Sequence, residues 1–213
     1  QAAFVDLFFL KKYIPENSII VDIGANTGQF RFFCETLLKA KRVYSFEPIK
    51  EIYEILHLNF TDNVYNYAIA SEQKVAEFYV PKDSLRSSVF PNFPNNQKYK
   101  RETVRCLRLN DIKELDKERN IDLLKIDTEG SEYDVLLASR EILKRVKFVL
   151  VETSISRESS GDFIDTITYL KGLLPGIRLI AIGKIYKINH FYESADLLFS
   201  NELVIDHKSI WFP

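Results

Sequence analysis

The sequence predicts an α/β fold with a mostly parallel sheet, helices on both faces and an antiparallel C-terminal edge. Three observations favour this fold. Strand-like and helix-like runs alternate from residue 18 onward, a pair of strand-like runs interrupts the alternation, and the last two strand-like runs follow each other directly. Alternating runs are typical of parallel strands joined by right-handed crossovers, whereas two consecutive strands with a short loop favour antiparallel pairing.

The N-terminal part of the chain contains three predicted core strands. Short runs of apolar and β-branched residues predict the strands, and apolar residues at helical spacing between them predict the helices. The strands are predicted at 18–23, 42–46 and 64–70, and the helices at 2–13, from about 28 to 38, and at 49–60.

An insertion at about residues 71–110 interrupts this order. Two strand-like runs, 75–80 and 103–107, flank a polar segment that contains three prolines. We therefore expect an added strand pair joined by a long surface loop, and loops of this length are often functional.

The core pattern resumes after the insertion. A charged stretch at 111–119 predicts a short helix, and Ser131-x-x-Asp134 resembles a capping box at the start of the next helix. No repeat or linker divides the chain, so we expect a single domain over 1–213. The remaining elements are strands at 121–127 and 146–152, a helix at 163–174, and strand-like runs at 178–186 and 195–200.

Composition narrows the functional classes. The 213 residues are 46% hydrophobic and 28% charged, with a net charge of −1, which argues against broad nucleic-acid binding. No apolar run approaches the roughly 18 residues that a membrane-spanning helix needs, and no signal-peptide pattern opens the sequence. Cys34 and Cys106 fit a reducing compartment and no metal motif, so we expect a cytoplasmic protein. An oligomeric state is not indicated.

A glycine-containing turn follows the first predicted strand, in the segment Val-Asp-Ile-Gly-Ala-Asn-Thr-Gly. Gly24 lets the backbone approach a ligand, and the helix after it presents free N–H groups. Glu47 follows Gly28 by 19 residues and ends the next strand, where an acidic side chain accepts hydrogen bonds from a ribose diol. The Gly-x-x-x-Gly spacing disfavours a pyrophosphate-binding fingerprint, and Asp22 suits a cationic, amino-acid-like ligand instead.

Three motifs, in this order, resemble the FkbM-type methyltransferases. They are the glycine turn, Phe46-Glu47-Pro48, and the block Leu-Lys-Ile-Asp-Thr-Glu-Gly-Ser-Glu at 124–132. The third motif is the most specific, and the resemblance covers about residues 18–152. It implies a class I Rossmann-like fold, S-adenosylmethionine as cofactor, and methyl transfer to a hydroxyl of a sugar or a polyketide-like product. One departure is Leu109-Asn110-Asp111, where members of the family carry Leu-Asp-Asp.

With S-adenosylmethionine as cofactor, the glycine turn would border the methionine and adenosine parts, and Asp22 would face the ammonium group. Glu47 would hold the ribose hydroxyls, and the end of the third strand would flank the adenine. The predicted cofactor-binding residues are Asp22, Gly24, Ala25, Asn26, Gly28, Glu47, Pro48, Asn66 and Ala68.

The end of the fourth core strand would lie near the reactive methyl group. Alignment supplies most of the catalysis of an in-line displacement, and a base that takes the hydroxyl proton adds about 10²–10⁴-fold. Asp127 is the first candidate base and Glu129 the second, while Lys125 is an ion-pair partner or a substrate contact. Glu132 is either catalytic or a favourable charge in the first helical turn. A Mg²⁺ site at Asp127, Glu129 and Glu152 is less favoured than a metal-free site.

Two other functional classes stay open. One is a binding module that holds a nucleoside ligand without turnover, and the other is a nucleotide-dependent oxidoreductase, which the glycine spacing disfavours. A methyltransferase that acts on another nucleophile is a variant of the first hypothesis.

Overall fold

The computed structural model describes residues 10–81, 99–155, 161–188 and 191–202. Residues 2–9 of the predicted N-terminal helix and residues 82–98 of the predicted loop lie outside the described residues. Within these ranges, no helix is both long and apolar enough to cross a bilayer.

The elements follow the predicted alternation. The strands are β1 (Ile19–Ile23), β2 (Arg42–Phe46), β3 (Val64–Tyr65), β4 (Ala68–Ile69), β5 (Lys74–Pro81), β6 (Tyr99–Leu107), β7 (Ile121–Ile126), β8 (Val146–Ser154), β9 (Ile177–Ile188) and β10 (Phe191–Asn201). The α-helices are α1 (Gln29–Thr36), α2 (Lys50–Asn59), α3 (Glu132–Ala138), α4 (Arg140–Leu143) and α5 (Phe163–Leu173).

The main sheet has the strand order β3-β2-β1-β7-β8-β10-β9. Strands β3, β2, β1, β7 and β8 pair in parallel, whereas β10 runs antiparallel to both of its neighbours. The predicted mostly parallel sheet with an antiparallel C-terminal edge is therefore confirmed.

Strand β1 shows how the sheet divides the core. Ile19, Val21 and Ile23 belong to a cluster that also contains buried side chains of α3, α4 and α5. Ile20 belongs to a second cluster, which includes Phe30 and other side chains of α1. Because side chains alternate along a strand, Asp22 lies on the same face as Ile20, and a carboxylate therefore enters the face covered by α1.

The predicted third strand, 64–70, was wrong as one element. Strand β3 pairs with β2, but β4 leaves the main sheet and pairs with β6. Strands β5 and β6 form the predicted added pair, and they run antiparallel. Between β3 and β4, the Asn66 amide donates to the carbonyl oxygens of Glu47 and Pro48, at 2.9 Å each. These two hydrogen bonds turn the chain out of the main sheet and into a three-stranded sheet.

The predicted helix at 111–119 was also wrong. The chain forms two 3₁₀ turns, Leu109–Asp111 and Leu115–Lys117. Leu109, Ile112 and Leu115 are buried at intervals of three, which matches the three residues per turn of a 3₁₀ helix.

The capping box predicted at Ser131 is absent from the structure. Ser131 is the N-cap of α3 but makes no capping bond with its side chain; its hydroxyl lies 3.0 Å from that of Thr128. The helix ends early because the Ser139 hydroxyl donates to the Val135 carbonyl at 2.7 Å, and the chain restarts as α4. Such back-bonding by a serine competes with regular helix geometry.

Gly24 couples β1 to β7 and tolerates no side chain. Its φ is +79°, and a Cβ atom there would lie 1.7 Å from the Asp127 carbonyl oxygen. We expect Gly24→Ala to destabilise the protein by about 2 kcal/mol or more, because both the backbone strain and the clash must be relieved. Thermal unfolding measures this loss.

Gly172 in α5 provides the matched control, since a Cβ atom there meets nothing within 4 Å. Gly172→Ala should leave stability unchanged or raise it by up to about 1 kcal/mol through helix propensity. Equal unfolding midpoints for the two variants would contradict the proposed clash.

Candidate active site

The predicted site residues meet where β1, β2 and β7 end. In an open α/β sheet, ligands bind outside the carboxyl ends of parallel strands. Gly24, Glu47 and Asp127 each follow the last residue of one of these strands. The three backbones are tied together, because the amides of Gly24 and Ala25 donate to the Phe46 carbonyl at 3.0 Å and the Asp127 amide donates to Ile23 at 3.1 Å.

Glu47 is the acidic residue that follows β2, and it is 4% exposed. Its carboxylate accepts hydrogen bonds from the backbone amides of Asn26 and Ile49, at 2.9 Å each. Burial raises the pKa of Glu47 to about 7, although the two backbone hydrogen bonds oppose this rise. The glycine turn and the acidic residue therefore form one hydrogen-bonded unit.

Gly28 closes the turn at the N-cap of α1, with a φ of +92°. A Cβ atom there would lie 2.5 Å from the Phe60 ring and 2.8 Å from Leu56, so glycine lets α1 approach the end of α2. Arg31, which is 1% exposed, stacks on the Phe60 ring at 4.8 Å and pairs with Asp62 at 3.3 Å. Sequence reasoning missed Arg31, because a cation inside a predicted helix looks like a surface residue.

A cavity of about 300 Å³ lies beside the Glu47 turn. Pro48 and Asn66, both predicted cofactor residues, line it together with residues of α2 and β6. The predicted Ala68 is buried in a hydrophobic cluster that includes Val104, another residue of the cavity wall. The full lining is Pro48, Lys50, Glu51, Asn66, Glu102, Thr103, Val104 and Arg105.

Lys125 lies at the centre of the site, and its side chain is 3% exposed. Its ammonium nitrogen is 3.1 Å from the Asp22 carboxylate, 3.5 Å from the Asp127 carboxylate and 2.9 Å from the Gly24 carbonyl oxygen. The Phe30 ring of α1 lies 5.6 Å away. Of the two alternatives left by the sequence, the structure shows the ion pair; a catalytic role of Lys125 stays a prediction.

The charges of Asp22 and Lys125 depend on each other. Asp22 is fully buried, and burial raises its pKa while Lys125 lowers it. Burial also opposes the charge on Lys125, but Asp22 and Asp127 outweigh it and raise the pKa of the ammonium group. The lysine therefore stays protonated at neutral pH and neutralises Asp22. Asp22 is the carboxylate that is expected from the sequence to face the ammonium group of the cofactor.

Glu132 organises the turn that follows β7. Its carboxylate accepts hydrogen bonds from the Thr128 amide at 2.9 Å and the Gly130 amide at 2.8 Å. Burial raises the pKa of Glu132, and these backbone hydrogen bonds lower it. Glu129 sits at the exposed tip of the same turn with a φ of +54°. These bonds give Glu132 a structural function in the turn, and Glu129 stays the second candidate base.

Asp127 has an acidic neighbour, Glu152, on the adjacent strand β8. Ile126 pairs with Val151 in the parallel register, so Asp127 and Glu152 come next, side by side. Ser194 of β10 donates from its hydroxyl to Glu152 at 2.6 Å. Sequence reasoning identified Glu152 at this edge but not Ser194, which only the antiparallel return of β10 brings into the site. Across the described ranges, no three His, Cys, Asp or Glu side chains converge as a metal site would require.

The arrangement suits a cationic nucleoside ligand and proton removal beside it. Glu47 offers carboxylate oxygens at one end of the turn, and Asp127 offers a partly exposed carboxylate at the other end. Lys125 donates a hydrogen bond to the Gly24 carbonyl at 2.9 Å and lies 3.5 Å from the Asp127 carboxylate.

Solved structures share this fold. An FkbM methyltransferase from Methylobacillus flagellatus KT is similar over 85% of this chain and 43% of its own, with a TM-score of 0.56 and 18% identity. The M. capricolum protein TrmK, solved with S-adenosylhomocysteine, is similar over 94% of this chain and 70% of its own, with a TM-score of 0.52 and 12% identity. At these identities the likeness shows the fold, which is that of class I methyltransferases.

Sequence comparison is more specific. The methyltransferase sdnD of Sordaria araneosa is 28% identical over 177 residues, which are 66% of this chain and 68% of that protein. The model of the methyltransferase FkbM domain matches residues 22–173, which contain every predicted site residue. This chain belongs to the FkbM methyltransferase family.

Proposed function

We propose that the protein is an S-adenosylmethionine-dependent O-methyltransferase that acts on a hydroxyl of a sugar, a glycan or a related natural product. The observation that carries the proposal is Glu47, a buried carboxylate at the end of β2 that the amides of Asn26 and Ile49 hold beside the glycine turn. A ribose diol has two O–H donors, and such a fixed carboxylate is its natural acceptor.

The residues present fit this cofactor. Glu47 would hold the ribose, and the cavity beside Pro48 and Asn66 would take the adenine ring. The turn at Gly24 would border the chain that joins the ribose to the methionine end. Asp22, which pairs with Lys125, would contribute by fixing the shape of this turn. S-adenosylmethionine supplies a methyl group on a positively charged sulfur.

Asp127 is the proposed base. It lies at the end of β7, and its side chain is 23% exposed, in contrast to the buried Asp22. The Lys125 ammonium lies 3.5 Å from its carboxylate. Asp127 would accept the proton of an acceptor hydroxyl, and Glu129 at the tip of the next turn is the alternative base.

Calorimetry tests the cofactor assignment. Binding of S-adenosylmethionine and S-adenosylhomocysteine without binding of NAD supports the proposal, and a preference for NAD would establish the oxidoreductase alternative. Transfer of a labelled methyl group to a panel of glycans and hydroxylated natural products then separates an O-methyltransferase from a binding module that holds the nucleoside without turnover.

The cytosol is the compartment we propose for this activity. Both cysteines, Cys34 and Cys106, are buried and unpaired, and burial raises the pKa of the Cys34 thiol. Free thiols of this kind are typical of reducing compartments.

Glu47→Gln should weaken binding of S-adenosylhomocysteine by about tenfold or more, because one carboxylate oxygen becomes an amide donor that faces other donors. Calorimetry measures the change. Glu54→Gln, at an exposed position of α2 outside the cavity lining, is the control and should bind as the parent does. An unchanged affinity in Glu47→Gln would refute the ribose role.

The affinity for S-adenosylhomocysteine should rise from pH 6 to pH 8. The free protein has a Glu47 pKa of about 7, and the protonated form offers the ribose diol fewer acceptor sites. Raising the pH therefore converts Glu47 to the form that accepts both hydroxyl donors. The Glu47→Gln variant should lose this dependence, and a parent affinity that is flat or falls across this range would contradict it.

Asp127→Asn should lower turnover about 10²-fold or more while S-adenosylhomocysteine affinity changes by less than about threefold. The amide keeps the shape of the side chain but accepts no proton at this position. Labelled-methyl transfer reports turnover, and calorimetry reports affinity. Asp134→Asn, on the exposed side of α3, serves as the control, and full activity in Asp127→Asn would transfer the role of base to Glu129.

A further inference from the structure

Glu152 stands beside Asp127 on the neighbouring strand, and the proposed mechanism gives it no function. The register Ile126 to Val151 puts the two carboxyl groups side by side at the open end of the sheet. On the other flank, β10 places Asp196 directly opposite Glu152. Asp127, Glu152 and Asp196 thus place acidic side chains on, or directly after, three adjacent strands: β7, β8 and β10.

A hydrogen bond between Asp127 and Glu152 requires a proton. The strand register places the two carboxyl groups side by side, and two carboxylates are both acceptors, so only a protonated group can donate. The Ser194 hydroxyl donates to Oε1 of Glu152 at 2.6 Å. That oxygen is an acceptor in this contact, which leaves Oε2 available to carry a proton.

We propose that Glu152 is the positioning residue for Asp127: it stays protonated at neutral pH, donates a hydrogen bond to the Asp127 carboxylate and holds that carboxylate as the base. This inference rests on the proposed function only for the role of Asp127 as base. The shared proton belongs to the protein without any ligand.

The surroundings of Glu152 favour its protonated form. The groups that face it are Asp127 on β7, Glu132 on α3, and Ser194 and Asp196 on β10. Burial and the Asp127 charge raise the pKa of Glu152 well above its usual range, and the Ser194 hydroxyl opposes this rise. The nearby cation, Lys125, contacts Asp127 from the side of β1. Lys125 and the proposed proton on Glu152 would therefore stabilise the same carboxylate.

The proton balance of methyl transfer is simple with this pair. The acceptor oxygen forms a bond to the methyl carbon as the carbon–sulfur bond breaks. The electron pair of the broken bond goes to sulfur. The hydroxyl proton goes to Asp127, so the pair then holds two protons and no charge. One proton returns to solvent before the next turnover, and Glu152 keeps its own throughout.

Thermal unfolding of the protein without ligand tests the shared proton. A carboxyl group with a raised pKa in the folded state stabilises the protein at low pH, and this stabilisation is lost as the pH rises through that pKa. Glu152→Gln removes the titration, so its melting temperature relative to the parent should rise between pH 5 and pH 9, by about 5 °C or more. Parallel profiles for parent and variant would overturn the proposal.

Ser194→Ala provides a second variant if Glu152→Gln does not fold. Loss of the hydroxyl donor raises the pKa of Glu152 further, so the fall in melting temperature should continue to a higher pH than in the parent. Glu141→Gln, which alters an exposed carboxylate on α4, is the control and should follow the parent curve. A Ser194→Ala profile that coincides with the parent profile would count against the proton on Glu152.

Turnover in the labelled-methyl assay separates positioning from mere packing. Glu152→Gln still donates a hydrogen bond and should keep kcat within about threefold, whereas Glu152→Leu should lower kcat about tenfold or more with S-adenosylhomocysteine affinity unchanged. Equal kcat values for the two variants would overturn the positioning role. If no cofactor binds, the proposed function fails, but the melting profiles still decide whether the carboxyl pair shares a proton.

Discussion

The buried ammonium group of Lys125 is the constraint on which the site depends. Strand β7 is buried on both faces, and an unpaired charge in such a strand would cost several kcal/mol. Asp22, Asp127 and the Gly24 carbonyl compensate that cost within 3.5 Å. A single cation therefore joins the ends of β1 and β7, and the Gly24 carbonyl and the Asp127 carboxylate are positioned by this contact.

The same cation determines how much charge the edge presents. Asp22 and Lys125 cancel, and the proton proposed on Glu152 leaves Asp127 as the one ionised group of the carboxyl pair. A single negative charge suits both tasks proposed for it, since it attracts a cationic sulfonium and accepts a proton. Two ionised carboxylates would repel each other, and a neutral pair would leave no base, so the site functions only with an intermediate number of protons.

Short sequence patterns predicted correctly those parts of the fold that are determined by residues close together in the sequence. The glycine turn and Glu47 were found from spacing alone, because strand, turn and helix fix their relative positions. The predicted third strand failed where the Asn66 amide, bound to two carbonyls of another turn, redirects the chain. The charged stretch after the insertion failed for a different reason: Leu109, Ile112 and Leu115 repeat at strict intervals of three, the period of 3₁₀ turns, whereas the apolar face of an α-helix combines intervals of three and four.

The contacts of Glu152 could not be predicted because they depend on three strands that are distant in sequence. Sequence order indicates that β7 and β8 end at the same edge, and on that basis Glu152 was considered only as a metal ligand. Whether it stands beside Asp127 depends on the register, and whether Ser194 reaches it depends on a hairpin with irregular pairing between β9 and β10. An acidic residue at a strand end thus has no assignable protonation state until its lateral neighbours are known, since those neighbours decide whether it can carry a charge.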